Sequence, residues 1–324
     1  MTAPALSVVV PCFNEQEVLP EFHPRLAAAM DGIGLPWEVV YVNDGSRDGT
    51  LALMEALAAR DGRVAVLNLS RNFGKEIALT AGLDHAACTD AVIVIDADLQ
   101  DPPEVIPRLV EAARGGFDVA YAQRSVRHGE GWLKKATAAG FYRVMSRLGG
   151  RVQLPRDTGD FRLMSRRALD ALLAMREQHR FMKGLFAWVG FPAVAVPYER
   201  APRAAGETKW NWWKLWNLSL EGITSFTVGP LKLATYLGLA VSVVALAYLA
   251  QLLFRTAFFG NPVAGYPSLM AVVLFLGGVQ MMMLGVIGEY LGRVFNETKA
   301  RPLYFVERHI PSAAHQQVAQ RRAS

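Results

Sequence analysis

The 324-residue chain is long enough for one large domain or two smaller ones. Hydrophobic residues make up 52% of it against 19% charged, and the excess over a typical soluble domain collects after residue 230. A net charge of +5 leaves nucleic acid, anionic lipid and phosphorylated substrates as partner classes, while two cysteines, Cys12 and Cys88, without CxxC or metal spacing indicate neither a disulfide framework nor a zinc site.

The start, Met1–Ala5, lacks the basic and apolar regions of a signal peptide, so the first domain is expected in the cytoplasm. Short apolar strands are predicted at Leu6–Val10, Glu38–Val42, Val64–Leu69, Ala91–Ile95 and Asp118–Tyr121, with amphipathic stretches between them. That alternation predicts a parallel sheet covered by helices. Each strand runs into polar residues: Pro11–Glu15, Asn43–Thr50, Ser70–Lys75, and an acidic cluster at Asp96, Asp98 and Asp101. Open α/β sheets bind ligands outside the carboxyl ends of their strands, so four polar ends on one edge point to a nucleotide. Each loop alone is also a sound turn or helix cap. Neither GxGxxG nor GxxxxGK[ST] follows the first strand, which weakens the dehydrogenase and P-loop readings.

Asp96 and Asp98 lie two apart, which on extended backbone places both side chains on one face. Hard oxygen ligands of this kind suit Mg²⁺ or Mn²⁺ bound together with substrate phosphates. The same residues, followed by Pro102 and Pro103, also make a turn into a helix. Beyond Tyr121 the chain turns basic, and Arg124, Arg127, Lys134 and Lys135 offer a phosphate site, with a solvated helix face as the other account of the lysines. A strand is predicted at Ala193–Tyr198. Arg200–Lys209 follows as a lid-like loop carrying Arg203 and Lys209.

Trp210–Trp216 holds four tryptophans in seven residues, which predicts an interfacial helix from about Trp210 to Thr227. Leu233–Phe254 and Pro267–Gly288 are uncharged for about 22 residues each, enough to cross a bilayer. Basic residues follow the second span and only Arg255 lies between the two, so both ends of the hairpin are expected in the cytoplasm. The expected division is a catalytic domain at 1–205, lid and interfacial helices at 206–229, membrane helices within 230–293 (about 231–254 and 267–289) and a basic tail at 294–324. Glycines 277, 278, 285, 288 and 292 offer close helix approach and homo-oligomer contacts.

Taken in order, Val8–Glu15, Val42–Thr50, Asp96–Glu104, Gly159–Leu163 and Gly288–Arg293 resemble the membrane-bound polyisoprenyl-phosphate glycosyltransferases of glycosyltransferase family 2. The resemblance implies a GT-A type Rossmann-like α/β fold and inversion at the anomeric carbon. It implies a hexose donor, UDP-glucose first and GDP-mannose or a UDP-amino-sugar as alternatives, with a polyisoprenyl phosphate acceptor at the inner membrane and no nucleic acid partner. Pro11, Glu15, Asp44, Gly74 and Lys75 would then hold the nucleotide, Asp96 and Asp98 the metal, and Gln100 the sugar. Arg124, Arg127 and Lys134 would receive the acceptor phosphate, and Arg203 and Lys209 would close on the donor. Asp157 and Asp160 fall where the family places a candidate base, and the sequence does not choose between them. A non-catalytic nucleotide-sugar-binding scaffold in the membrane is the reading from another class.

Overall fold

The computed structural model describes residues 4–125, 158–200, 229–259 and 265–314. Eight strands form one sheet in the order β7-β5-β6-β4-β1-β2-β3-β8. They are β1 (Leu6–Cys12), β2 (Trp37–Asn43), β3 (Val64–Leu69), β4 (Ala91–Val94), β5 (Val119–Arg124), β6 (Thr158–Ser165), β7 (Ala193–Tyr198) and β8 (Val306–Ile310). β1 lies parallel between β2 and β4, with Val8 opposite both Val39 and Ile93. Its valines alternate between two cores, Val8 and Val10 on one face and Val9 on the other. Burial on both faces explains why apolar residues dominate β1 to β4, with Ser7, Glu38, Asn43 and Asn68 as buried polar exceptions.

Helices α1 (Leu19–Asp31), α2 (Thr50–Arg60) and α4 (Ile106–Arg114) cover the first face. On the second face lie α3 (Lys75–Asp84), α5 (Arg166–Ala174) and α6 (Met182–Trp188). α3 packs so closely on β1 that a Cβ added at Gly82 would sit 2.3 Å from Val9 Cγ1. Such an approach permits no side chain there.

Two strands run against the rest. β6 is antiparallel to β4 and to β5, which brings its first residues to the edge where the parallel strands end. β8 is antiparallel to β3, with Leu67 opposite His309. This places residues 306–310, within the stretch expected to be a basic tail, in the eight-stranded sheet as its edge strand. Ser70 N–H donates to Phe305 O at 3.0 Å, Ala313 N–H to Gly62 O at 2.8 Å, and Ser312 Oγ to the buried Glu38 carboxylate at 2.5 Å. Glu38 also accepts from Ser7 Oγ and from Ala87 N–H, each at 2.7 Å.

Between β7 and β8 come two long helices, α7 (Gly229–Phe259) and α8 (Tyr266–Thr298), both running past the expected spans. Phe275–Thr298, 24 residues with mean hydropathy 1.2, is long and apolar enough to cross a membrane by length and composition, whereas the apolar stretch of α7, Ala234–Tyr248, is shorter. Leu239, Val244, Phe275 and Leu284 are exposed on these helices. The expected interfacial helix from Trp210 to Thr227 lies outside the described residues.

Candidate active site

Gly74, with φ at 95°, turns the chain from the β3 loop directly into α3, so Lys75 is the first residue of that helix and its side chain stands over the strand ends. Lys75 Nζ donates to Asp96 Oδ2 beyond β4 and to Asp160 Oδ2 on β6, at 2.7 Å each. The Lys75 side chain is 45% exposed, Asp96 25% and Asp160 7%. Burial would lower the Lys75 ammonium, but Asp160 and Asp96 outweigh it and hold the group well above its ordinary range. Burial likewise works to raise Asp160, and Lys75 with Lys183 overcomes it, leaving that carboxyl below the usual carboxylate range. Asp96 is raised, by burial first, against the pull of Lys75. Asp160 Oδ1 is buried without a hydrogen-bond partner among the described residues.

The next residue, Glu76, accepts from Met182 N–H at 3.1 Å and so caps the start of α6. Burial, then the Asp160 charge, pushes it up to about 7. Arg162 lies buried beneath: its Nη2 donates to Gly159 O at 2.9 Å and its guanidinium sits 3.8 Å over the Phe186 ring. Burial lowers it to about 10.

Asp98 Oδ1 accepts from Gln100 N–H at 3.1 Å, closing a tight turn in which the buried Leu99 adopts φ 57°. A left-handed leucine is strained, and strain of this kind gathers at functional sites. Gln100 Oε1 accepts from Arg200 Nη2. Asp101, 2% exposed, accepts from Tyr198 OH, and Arg124 Nε reaches the same hydroxyl at 3.5 Å. A Cβ on Gly159 would lie 3.3 Å from Arg124 Nη2, so glycine there makes room for the guanidinium.

Asp44 carries a different load. Its carboxylate accepts from Phe73 N–H at 2.7 Å and Gly74 N–H at 3.0 Å, tying the β2 loop to the β3 loop. Glu15 N–H donates to Thr50 Oγ1 at 2.8 Å, and Asp44 N–H to Cys12 O at 3.0 Å beside Pro11. Between these loops opens a cleft of about 680 Å³, lined among others by Phe13, Ser46, Arg71, Asn72 and Glu307.

The structure therefore gathers Pro11, Glu15, Asp44, Gly74, Lys75, Asp96, Asp98, Gln100, Arg124 and Asp160 along one sheet edge. Asp157, Arg127, Lys134, Arg203 and Lys209 lie outside the described residues. Asp101, Tyr198, Arg200 and Arg162 join the site without having been singled out for it, although Asp101 was visible as the third acid of its cluster. Among the described residues no group of three or more His, Cys, Asp or Glu is arranged to hold a metal by itself. Asp96 and Asp98 together supply the one or two hard carboxylates that Mg²⁺ takes when diphosphate completes its shell, so the donor set fits such an ion.

Residues 7–173 match Glycosyl transferase family 2, and residues 229–294 match the GtrB C-terminal hairpin. The chain belongs to glycosyltransferase family 2. It is 51% identical to the uncharacterized glycosyltransferase sll0501 of Synechocystis sp., over 93% of this chain and 94% of that one. It is 49% identical to the prophage bactoprenol glucosyl transferase homolog of Escherichia coli, over 94% and 98%. With the bactoprenol glucosyl transferase of Shigella phage SfV it shares 48% identity, over 93% and 98%. In this glycosyltransferase the family 2 match ends inside α5, whereas Tyr198, Arg200 and β8 fall outside both matched segments.

Proposed function

We propose that this family 2 enzyme transfers glucose from UDP-glucose to a polyprenyl phosphate, undecaprenyl phosphate in a bacterial membrane, with inversion at the anomeric carbon. The observation that carries this reading is identity near one half, over nearly the whole length, with proteins named bactoprenol glucosyl transferases. An oxygen of the lipid phosphate attacks the anomeric carbon, the bond from that carbon to the diphosphate breaks, and UDP departs with the electron pair. A phosphate monoester with a second pKa of about 6 is already mostly dianionic at neutral pH, so positioning matters more than a protein base.

Asp160 fits that economy. A buried carboxylate held in its charged form by Lys75 is a poor proton acceptor, and its role here is to position Lys75 beside the donor phosphates. Asp98 and Asp96 are the residues to hold Mg²⁺ or Mn²⁺, which when bound supplies charge neutralisation to the leaving diphosphate. Arg124, at the end of β5, orients the acceptor phosphate, with Arg127 and Lys134 following it in sequence. The Phe13 side of the cleft takes the nucleoside.

α7 and α8 form the membrane hairpin. The chain enters α7 from the catalytic domain and leaves α8 into β8 of the same sheet, which supports a hairpin with both ends on one side of the bilayer. Gln178 N–H donates to Glu297 at 2.8 Å, so the end of α8 is fastened to the domain, close beneath the membrane that supplies the acceptor. A Cβ added at Gly277, Gly278, Gly285, Gly288 or Gly292 meets nothing within 4 Å, leaving that face open to another copy of the chain.

The test is incubation of membranes carrying the protein with Mg²⁺, undecaprenyl phosphate and UDP-glucose, GDP-mannose or a UDP-amino-sugar in turn. A lipid product whose mass gains one hexose from UDP-glucose is expected. A product from another donor alone, or none, overturns the reading.

A further inference from the structure

The last strand lies beyond both matched segments, yet it lines the donor cleft through Glu307. A chain of hydrogen bonds fixes that side chain. Glu307 Oε2 accepts from Asn68 Nδ2 at 2.9 Å, Asn68 Oδ1 accepts from Asn43 Nδ2 at 2.7 Å, and Asn43 Oδ1 accepts from Ser46 N–H at 3.2 Å. Asn43 and Asn68 are buried, 2% and 7% exposed, so their amides are committed to one another and to the loop. Glu307 is exposed, and its Oε1 accepts from no described residue.

A carboxylate is an acceptor only, and near a diphosphate it would repel. β8 is four strand spacings from β4, about 19 Å at the usual interval, so Glu307 stands on the side of the cleft away from Asp96 and Asp98, which lie along the sheet edge outside its lining. A nucleoside whose diphosphate lies against β4 turns its base toward that end. An acceptor at that end would meet the pairing edge of such a ring and not a phosphate.

We propose that Glu307 is a donor-specificity residue: its Oε1 accepts the ring N–H of the nucleobase, favouring uracil, which presents N3–H, over cytosine, whose N3 carries no hydrogen. This rests on the cleft being the nucleotide site. The segment following the membrane hairpin thus completes the donor site, and the catalytic sheet without it reads the base poorly.

The experiment is calorimetric titration of the full chain in detergent micelles with UDP and with CDP, in Mg²⁺, for the unaltered protein and three variants. Glu307→Ala is expected to weaken UDP about tenfold and CDP little, the loss typical of a hydrogen bond to a charged group. Glu307→Gln keeps the shape but offers one acceptor to two donors, so it should lose UDP preference as well. Arg308→Ala, which removes only the 2.7 Å contact to Glu55 on α2, should leave the UDP to CDP ratio unchanged. Equal weakening of both nucleotides in Glu307→Ala, or an unchanged ratio, overturns the assignment while leaving the donor site standing. Absence of binding of either nucleotide to the unaltered protein overturns both.

Discussion

Lys75 Nζ lies 2.7 Å from Asp160 Oδ2, joining the first turn of α3 to the start of β6 across 85 positions of sequence. Lys75→Met would leave the buried Asp160 carboxylate without its nearest counter-charge. A fully buried broken pair costs about 3–5 kcal/mol, and the partial exposure of Lys75 reduces the expected loss to about 1–3 kcal/mol. The double variant Lys75→Met with Asp160→Asn should lose less than the sum of the single losses, by about 1 kcal/mol in denaturant unfolding. Strict additivity would show that the two side chains are uncoupled.

Glu76 gives the site a pH signature. Its folded pKa of about 7 lies above the ordinary value of 4.5, so folded and unfolded states are both protonated below 4.5 and the full stability is present there. As pH rises the unfolded chain releases this proton first, and the contribution falls away until about 7, above which the loss is complete. Glu76→Gln retains an acceptor for Met182 N–H and removes the titration. It should raise the unfolding midpoint at pH 8 and change it little at pH 5. A difference independent of pH would contradict this.

The C-terminal strand is expected to be structural as well as functional. A chain ending at Arg301 loses β8, exposes the edge of β3 and strips Ser312 from the buried Glu38 carboxylate. A buried charge deprived of a hydrogen bond costs about 1–3 kcal/mol, to which the lost strand pairing adds. Thermal unfolding of the shortened chain should therefore begin well below that of the full one. Identical midpoints would return this segment to the status of a dispensable tail.

These relationships show where sequence reading succeeds. β1 to β4 are legible because burial on both faces fills them mostly with Val, Ile, Leu and Ala, and the polar residues at their ends stand out against that background. β8 is not, because an edge strand carries charge on purpose, and Glu307, Arg308 and His309 read as solvent-facing tail. The Lys75 bridge is hidden for another reason. It depends on β6 running antiparallel, a topological fact that no local pattern encodes. Asp44 shows the converse, a residue rightly placed at the edge whose carboxylate proves to be occupied with two backbone amides.

The acids separate by role in transfer assays. Asp98→Ala should abolish glucosyl transfer with the fold intact by circular dichroism, because the proposed mechanism assigns that carboxylate to the ion that neutralises the leaving diphosphate. Asp157→Ala should retain measurable transfer if the acceptor phosphate is its own nucleophile. Complete loss in both, with folding intact, would restore a protein base to the mechanism.

The proposed mechanism requires an acidic pair, Asp96 and Asp98, to hold a divalent ion against a nucleoside diphosphate, and titration of the full chain with UDP, with and without Mn²⁺, tests that most directly. Tight UDP binding that requires the ion and vanishes in Asp98→Ala is predicted. UDP binding of equal strength without metal, or in Asp98→Ala, would contradict it.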